Sequence, residues 1–358
     1  MADKNSPADV SAGKATTELR KKVAELGFTL CGVTAAAAPK RLEQFHQWLA
    51  AGHAGQMQYL ETRRDAYASP ESVLTGCKTI VMLALPYTTL ADRQVPPDKR
   101  TAGRVARYAA SPIDYHDLIH GRLKQLKRWL TEHFPESQSR GIVDTAPLNE
   151  REFAEAAGLG WIGKNTLLLN RSHGSYFFLA AMLTDIEFQV DAPDAKNYCG
   201  TCTACLDACP TNAFPQPFVL DATKCISYLT IEHRDTIHPE LSLQMGDWMF
   251  GCDVCQEVCP WNRKAVETQE PSYREREPYR HADVLKVMAM TDEEFRMQYR
   301  KTPLWRSKRR GIIRNAILVA VNKRIHESLP ILESLKNDEE QLIRDAASWA
   351  TEQLSKGD

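Results

Sequence analysis

The stretch that decides the fold reads Cys199-Gly-Thr-Cys202-Thr-Ala-Cys205-Leu-Asp-Ala-Cys209-Pro210. Three cysteines stand three positions apart, and a fourth follows after three more residues, directly before a proline. In bacterial two-cluster ferredoxins, three cysteines with this spacing hold one [4Fe–4S] cluster while the fourth ligates the other cluster. The stretch therefore predicts a ferredoxin-like unit that transfers electrons one at a time.

A second, incomplete copy of the pattern follows at Cys252-Asp-Val-Cys255-Gln-Glu-Val-Cys259-Pro260. Met249 stands where the pattern requires its first cysteine, and a thioether is a poor ligand for iron compared with a thiolate. Cys225 is the nearby cysteine that could replace it. Because the two runs exchange their last cysteines, we expect two ligand sets. One is Cys199, Cys202, Cys205 and Cys259, and the other is Cys209, Cys225, Cys252 and Cys255.

Two other interpretations of these cysteines remain open. Zinc sites also use C-x₂-C pairs, normally two pairs per metal and without the trailing Cys-Pro. Disulfide frameworks are typical of short secreted chains, whereas this chain has 358 residues and begins without the apolar core of a signal peptide. Cys31 and Cys77 lie beside apolar segments, so we expect both to be buried structural residues.

The overall composition is typical of a soluble protein with two or three domains. The formal net charge of −1 indicates no class of partner by itself. The longest apolar run, residues 176–183, is too short to cross a bilayer. We therefore expect a cytoplasmic protein without a membrane partner, in a compartment that keeps thiols reduced, and we expect a monomer.

Four regions differ in their residue patterns. Residues 1–16 are small and polar, which predicts a disordered tail. Residues 17–190 alternate helical patterns with short apolar runs such as 79–85, which predicts an α/β or α+β domain. Residues 191–265 form the predicted cluster domain. From 266 to 358 the pattern is helical.

The C-terminal region carries a basic segment. Residues 301–325 contain eight basic residues and no acidic one, which favours a phosphate-binding surface over the alternative of a solvated helix face. Ile313-Arg-Asn-Ala and Ile343-Arg-Asp-Ala match at a spacing of 30 residues, which predicts a small HEAT-like helical repeat. The candidate phosphate contacts are Arg306, Lys308, Arg309, Arg310 and Arg314.

Candidate catalytic groups precede residue 190. Asp144 follows a predicted strand end and precedes a helix, where either a functional carboxylate or an ordinary helix N-terminal carboxylate is expected. Gly160-Trp-Ile-Gly-Lys-Asn165 is a glycine-flanked turn that could contact amides or phosphates, or could be a simple turn. Asp114-Tyr-His116-Asp-Leu-Ile119 approaches the Asp-x-His-x-x-Gly motif of one cobalamin-binding class, but Ile119 replaces the glycine, so the motif is rejected.

Several of these segments together resemble the epoxyqueuosine reductase family, whose core is related to reductive dehalogenases. They are Asp144-Thr-Ala-Pro147, Gly158-Leu-Gly-Trp-Ile-Gly-Lys-Asn165, Gly174-Ser-Tyr-Phe-Phe178, the 199–210 run and Gly251-Cys-Asp-Val-Cys-Gln-Glu-Val-Cys-Pro-Trp-Asn262. The resemblance implies an α+β protein with an α/β cobalamin-binding catalytic domain at 17–190, a dicluster domain at 191–265 and a HEAT-like tRNA-binding region at 266–358. It implies cobalamin and two [4Fe–4S] clusters as cofactors.

The family reduces the epoxide of epoxyqueuosine at the wobble position of tRNA to queuosine. The resemblance therefore implies a tRNA anticodon arm and an external electron donor as partners. It also implies that Asp144 is the proton donor, with a pKa that burial under the corrin would raise. The residues expected to contact cobalamin are Arg63, Tyr108, Asp144, Lys164, Asn165, Ser175, Ser227, Tyr228 and Asp253.

Two alternatives belong to other classes of protein. One is a dicluster electron carrier that serves another enzyme, which the large region ahead of the cysteines disfavours. The other is a non-catalytic nucleic-acid-binding protein with structural clusters, which the basic segment favours. Retention of added cobalamin by the purified protein would distinguish the reductase from both.

Overall fold

The computed structural model describes residues 7–89, 100–194, 196–273 and 279–356. The strands, in chain order, are β1 Leu30–Ala35, β2 Thr79–Pro86, β3 Ala102–Val105, β4 Ser139–Ile142, β5 Trp161–Ile162, β6 Leu168–Leu169, β7 Phe177–Thr184, β8 Trp248–Phe250 and β9 His281–Asp283. The α-helices are α1 Pro7–Glu25, α2 Leu42–Ala50, α3 Gln58–Thr62, α4 Tyr115–His133, α5 Glu150–Ala156, α6 Ala204–Asp207, α7 Ile226–Ile231, α8 Pro239–Gln244, α9 Val254–Glu257, α10 Val284–Met288, α11 Asp292–Tyr299, α12 Lys308–Asn322, α13 Leu329–Leu335 and α14 Gln341–Ser355.

The main sheet has the order β1-β2-β7-β4, and every neighbouring pair is antiparallel. Side chains of β2 alternate between a core shared with α1 and α4 and a core shared with α5. All eight residues of β2 are buried because both faces of the sheet are covered. The fold of this region is therefore α+β, and the expected α/β arrangement is wrong, since no parallel pair occurs in this sheet.

The sheet brings the candidate acid to an edge. Strand β4 packs against α4, and a Cβ on Gly141 would lie 2.8 Å from Cβ of Leu123, so a larger residue would push the helix away. Strand β4 is followed within two residues by Asp144, and α4 begins at Tyr115 with Asp114 as its N-cap. The N-terminus of α4 and the end of β4 therefore meet at the same place.

The N-terminal helix corrects one prediction. Residues 7–16 belong to α1, although the sequence predicted a disordered tail over 1–16. Thr16 is buried, and its Oγ1 accepts a 2.8 Å hydrogen bond from the backbone N–H of Gln189. Leu19 and Val23 anchor the same helix in the core. Residues 1–6 lie outside the described part of the chain.

A small second sheet joins the three predicted regions. Its order is β8-β3-β9, so it takes one strand from the first region, one from the cysteine region and one from the C-terminal region. Met249 on β8 is fully buried in a core that also contains Val105 and Val284. Met249 is therefore a core residue. The position that holds the first cysteine in the usual pattern is used here for packing the core.

The C-terminal region consists of β9 followed by helices. Every residue of α12 from Gly311 to Val321 is buried, because α10, α14 and β8 surround it. Helices α12, α13 and α14 pack on one another in the same core. The HEAT-like repeat and the domain boundaries remain predictions. In the described part of the chain, every helix is too short or too polar to cross a lipid bilayer.

Candidate active site and cluster sites

The first predicted ligand set is assembled by the fold. Burial, together with the nearby negative charge on Cys259, Cys199 and Cys202, raises the pKa of the Cys205 thiol to about 11. The thiols thus lie close enough to repel one another as thiolates, a repulsion that iron would remove. Cys199 and Cys259 pack against Trp161, whose indole N–H is buried without an acceptor among the described residues. A sulfur atom of an iron–sulfur cluster could accept a hydrogen bond from this indole N–H.

The second predicted set is assembled in the same way. Burial and then the charges of Cys225 and Cys209 raise the pKa of Cys252 well above its ordinary value. The pKa of Cys255 is also raised well above its ordinary value, by burial and by the charges of Cys252 and Cys225. Cys255 interacts with Cys205 of the first set as well. Cys225 therefore lies where the sequence placed it, and the two sets are neighbours.

The donor chemistry fits two iron–sulfur clusters. All ten cysteines are free thiols, so no disulfide framework is present. Within the described ranges, no three His, Cys, Asp or Glu side chains converge tightly enough to hold a single metal ion. A [4Fe–4S] cluster instead spreads its four thiolates over four separate irons. Lys164 steadies the first set, since its Nζ donates to the carbonyl oxygens of Gly200 at 2.8 Å and Cys202 at 3.0 Å.

Asp144 lies at the centre of a polar network. Its φ of 41° is in the left-handed region, which a non-glycine residue adopts only when its surroundings hold it there. Oδ2 accepts a hydrogen bond from the hydroxyl of Tyr115, and Oδ1 lies 2.7 Å from Nε2 of His116. The backbone N–H of Asp144 donates to Oε1 of Glu150 at 2.7 Å. The side chain is still 36% exposed, so a substrate can reach it.

The charges in this network differ from the expectation for an acid. Burial raises the pKa of Asp144, but hydrogen bonds from His116 and Tyr115 and the charge of Arg306 outweigh it, so the pKa lies below its ordinary value. The raised pKa expected from burial under a corrin stays a prediction, and the protein groups alone act in the opposite direction. Burial lowers the pKa of His116, whereas hydrogen bonds with Asp114 and Asp144 raise it to about 9. At neutral pH the proton between the two groups is therefore held on His116, as an imidazolium hydrogen-bonded to the Asp144 carboxylate.

A second carboxyl group behind Asp144 is neutral at pH 7. Burial and the charge of Asp144 raise the pKa of Glu150 to about 8, although the hydrogen bond from the backbone of Asp144 lowers it. Glu150 thus holds the loop through its backbone without adding a full negative charge. This leaves the negative charge of the loop on Asp144.

The predicted phosphate contacts divide into three groups. Arg314 is 1% exposed and donates to the carbonyl oxygens of Leu229, His233 and Asp235, where it satisfies the end of α7. Arg309 forms a paired contact with Asp338, with Nη2 2.7 Å from Oδ2. Both predictions are therefore corrected, because these guanidinium groups are used inside the fold.

The remaining three basic residues stay accessible. Lys308 is exposed, and its Nζ lies 4.9 Å from the ring centre of Trp305. Arg310 is 42% exposed and reaches Glu340 at 3.7 Å, a weak surface pair. Arg306 is 39% exposed but turns to the acid, with Nη2 3.5 Å from Oδ1 of Asp144.

The residues predicted to contact cobalamin are spread over several places. Arg63 donates to the carbonyl oxygen of Thr145, next to the acid, at 3.0 Å. Tyr108 stacks edge-on against Tyr115, with ring centres 6.0 Å apart. Ser227 and Tyr228 follow Cys225 on α7, and the Tyr228 hydroxyl accepts from the backbone of Gln56.

The other predicted contacts are occupied within the protein. Lys164 is bound to the cysteine loop, and Asn165 is 3% exposed beside the carbonyl of Cys255. Ser175 is buried, and its Oγ accepts from Nε2 of Gln256 at 3.0 Å. Asp253 is 1% exposed and pairs with Arg280 at 2.9 Å. Asn165, Ser175 and Asp253 are therefore corrected to buried residues that support the cluster region, whereas the cobalamin contact of the half-buried Lys164 stays a prediction.

Comparisons with known proteins agree with this site. Residues 68–145 match the family model described as epoxyqueuosine reductase QueG, DUF1730, and residues 198–262 match the 4Fe-4S double cluster binding domain. The epoxyqueuosine reductase of Cyclobacterium marinum is 40% identical over 84% of this chain and 96% of its own length. That of Pseudomonas aeruginosa is 37% identical over 98% of this chain and 97% of its own length.

The chain belongs to the epoxyqueuosine reductase family.

As a member of this family the chain is an oxidoreductase, with a 4Fe-4S dicluster domain. A crystal structure of epoxyqueuosine reductase with an epoxyqueuosine-modified tRNA-Tyr stem loop superposes with a TM-score of 0.87 at 29% identity, covering 95% of this chain and 90% of that one. A structure of the Bacillus subtilis enzyme, with an aspartate catalytic loop swung out of its active site, gives 0.85 at 28%, covering 95% and 90%. A reductive dehalogenase matches at 17% identity and 0.43, which is too distant to support any argument about the site.

Sequence reasoning missed part of the acid site of this epoxyqueuosine reductase family member. His116 and Asp114 were examined only as a cobalamin motif, and Tyr115 and Glu150 were given no role. The sequence does contain a signal for this site, because an Asp-x-His at the start of a helix places both side chains at the same helix end. That this end meets Asp144 follows only from the packing of α4 on β4.

Proposed function

We propose that this chain reduces the epoxide of epoxyqueuosine at the wobble position of a tRNA anticodon arm, yielding queuosine. The reaction consumes two electrons and two protons, and releases the epoxide oxygen as water. The observation that carries the proposal is the partly exposed Asp144 in contact with a protonatable His116, close to cations that suit an RNA substrate. Membership of the family and the likeness to the stem-loop complex support it.

Electrons would arrive through the cysteine sets. Cys199, Cys202, Cys205 and Cys259 would hold one [4Fe–4S] cluster, and Cys209, Cys225, Cys252 and Cys255 the other. Because Cys255 interacts with Cys205, the two clusters would be neighbours, as single-electron transfer requires. An external donor would reduce them.

We propose cobalamin as the third cofactor. The surface beside Asp144 fits a flat macrocycle with amide side chains, because Tyr59 is an aromatic ring that is 46% exposed and Arg63 is an exposed hydrogen-bond donor. Arg63, Tyr108 and Asp144 remain the proposed contacts at the acid, with Ser227 and Tyr228 on the side of Cys225. When bound, cobalamin supplies a low-potential cobalt centre for reductive cleavage of a carbon–oxygen bond.

The proton would come from the His116–Asp144 pair. Nε2 of His116 donates its proton to Oδ1 of Asp144 in a hydrogen bond, and Asp114 and Tyr115 fix the orientation of imidazole and carboxylate. As the epoxide opens, this proton would pass from Nε2 of His116 through Asp144 to the oxygen, and solvent would then reprotonate the pair. A positioned general acid of this kind contributes about 10²–10⁴-fold to a rate.

The RNA would lie against the start of α12. Lys308 and Arg310 are the accessible cations there, and the proposed HEAT-like packing of α12, α13 and α14 would support them. Reaction at the wobble base requires that base to be unstacked from the loop, as single-stranded RNA readers commonly achieve. We propose that the protein acts as a monomer.

The test is turnover of an epoxyqueuosine-bearing anticodon stem loop by anaerobic protein with both clusters and added cobalamin, followed by mass spectrometry of the nucleosides. We expect queuosine from the wild type, and a loss of at least about 10²-fold for Asp144→Asn, with unchanged cluster absorption. Asp117→Asn, an exposed carboxylate on α4, is the matched control and should retain full turnover. Near wild-type turnover of Asp144→Asn would overturn the assignment of the acid.

A further inference from the structure

Arg306 reaches the acid from the opposite end of the chain. It lies in the turn of residues 303–307 that precedes α12, and its Nη2 is 2.6 Å from Nε2 of His116 and 3.5 Å from Oδ1 of Asp144. Its backbone carbonyl accepts a hydrogen bond from Nη1 of Arg234 at 3.2 Å. The guanidinium is therefore held on the two atoms between which the transferable proton lies.

The number of protons on the two ring nitrogens of His116 determines how Arg306 affects the pair. Nδ1 of His116 lies 2.6 Å from Oδ1 of Asp114 and donates to that carboxylate, so only Nε2 can change its role. If Nε2 carries the proton, it donates to Asp144 and faces an N–H of Arg306. If Nε2 lacks the proton, it accepts from Arg306, and Asp144 holds the proton. Arg306 therefore disfavours a proton on Nε2 and makes the pair release its proton more readily.

We propose that Arg306 is a positioning residue for proton transfer, through which the C-terminal region makes the His116–Asp144 pair a stronger acid. This role rests on the proposed function. The proton leaves the pair for the epoxide oxygen and is later replaced from solvent. A permanent cation within 4 Å disfavours the protonated, more positive state of the pair, and arginine cannot lose its charge.

Other groups around the pair do not duplicate this effect. They are Tyr59, Arg63, Tyr108, Asp114, Tyr115 and Glu150. Tyr59, Tyr108 and Tyr115 have pKa values raised above the ordinary value by burial, so they are neutral. Arg63 is bound to the backbone carbonyl of Thr145. Among the described residues, Arg306 is thus the cation that contacts both Nε2 of His116 and Oδ1 of Asp144.

The test combines Arg306→Gln with Arg306→Lys and, as a control, Arg310→Gln, an exposed arginine near the same helix start. In the holoenzyme with oxidised clusters, ¹⁵N-labelled histidines are titrated without substrate, and the His116 signal is assigned from its loss in His116→Gln. We expect Arg306→Gln to raise the His116 midpoint by about one unit, and Arg306→Lys to keep it within about half a unit.

Single-turnover kinetics on the stem loop provide the second readout. For Arg306→Gln we expect a fall in kcat of about three- to tenfold at pH 7, an upward shift of the alkaline limb by about one unit, and an unchanged KM. For Arg310→Gln we expect a raised KM, with the His116 midpoint and the pH profile of kcat unchanged. A raised KM without a moved midpoint in Arg306→Gln would identify a phosphate contact and overturn the proposal.

Two further outcomes separate the proposals. An Arg306→Lys midpoint displaced as far as that of Arg306→Gln would also overturn the role of the charge. If the wild type leaves epoxyqueuosine unreduced, the proposed function fails, while the substrate-free titration still decides whether Arg306 acidifies the pair.

Discussion

Nε2 of His116 lies 2.7 Å from Oδ1 of Asp144, although the two residues are 28 positions apart and belong to different elements of the fold. The contact joins the N-terminus of α4 to the loop after β4. It changes the identity of the acid, because a carboxyl group with a lowered pKa cannot hold the proton alone. We therefore expect the acid to be the pair, which would titrate as one unit.

This pairing predicts a pH-dependent contribution to stability. The pKa of His116 is raised to about 9 in the folded protein, against about 6.5 in an unfolded chain. The imidazolium therefore stabilises the fold fully below pH of about 6.5, and this contribution declines above it and is lost as the pH rises through about 9. We expect the difference in urea midpoint between wild type and His116→Gln to be largest at pH 6 and to shrink toward pH 9.5.

His133→Gln is the control for this series, because His133 is exposed at the end of α4, where it contacts the ring and the backbone carbonyl of Trp129 and, among the described residues, no carboxylate. Its midpoint should follow that of the wild type at every pH. A difference for His116→Gln that stays constant from pH 6 to 9.5 would contradict the predicted titration.

Cys225 is predicted to be a cluster ligand in place of Met249. Cys225→Ser should lower the iron content from about eight to about four atoms per chain and halve the visible absorption. Cys77→Ser is the matched control, since that thiol donates to the carbonyl oxygen of Thr79 at 3.5 Å and a hydroxyl can do the same. Iron analysis of anaerobically purified proteins decides the point, and full iron in Cys225→Ser would exclude this ligand.

Arg314 is predicted to stabilise the fold and not to bind RNA. Arg314→Gln removes the donor to three carbonyl groups, one on α7 and two in the segment that follows it, which we expect to lower the free energy of unfolding by roughly 2–4 kcal/mol. Arg296→Gln, an exposed arginine on α11, should be neutral. Urea denaturation measures both, and weaker RNA binding at unchanged stability would restore the original phosphate assignment.

Lys308 and Arg310 are predicted to contact RNA phosphates. The double charge reversal Lys308→Glu with Arg310→Glu should weaken binding of the stem loop at least about tenfold and reduce the slope of log K against log salt by about 1.4 to 1.8, as expected for two lost phosphate contacts. The same reversal at Lys21 and Lys22 on α1 is the control. Binding titrations at several salt concentrations measure the slope, and an unchanged slope would reject this surface.

The sequence was most informative where the chemistry is local. Ligand spacing within a run is a property of a few consecutive residues, so the dicluster domain could be predicted, and the thiols of Cys225, Cys209 and Cys252 do lie near one another. The ligand sets themselves and the role of Asp144 stay predictions. The buried strand at 79–85 was predicted because an apolar run of that length needs cover on both faces.

Other features depend on packing that no local pattern contains. The basic segment could not reveal that α12 is buried on all sides, which turns Arg314 inward. Nor could it place Arg306 on His116, a contact between residues 190 positions apart. Polar residues in the turn at Lys164 and Asn165 look alike whether they bind a cofactor or a neighbouring carbonyl, and here they bind carbonyls.

The three-stranded sheet β8-β3-β9 has a consequence for electron transfer. Because β3 precedes the acid, β8 precedes Cys252 and β9 leads into the last helices, the sheet and the core beneath it fix the spacing between the thiols and Asp144. Proteins that deliver electrons by a swinging carrier domain lose time to docking and undocking. In this chain the separation is set once, on folding, so we expect that electrons already delivered to the thiol region need no domain movement to reach the site.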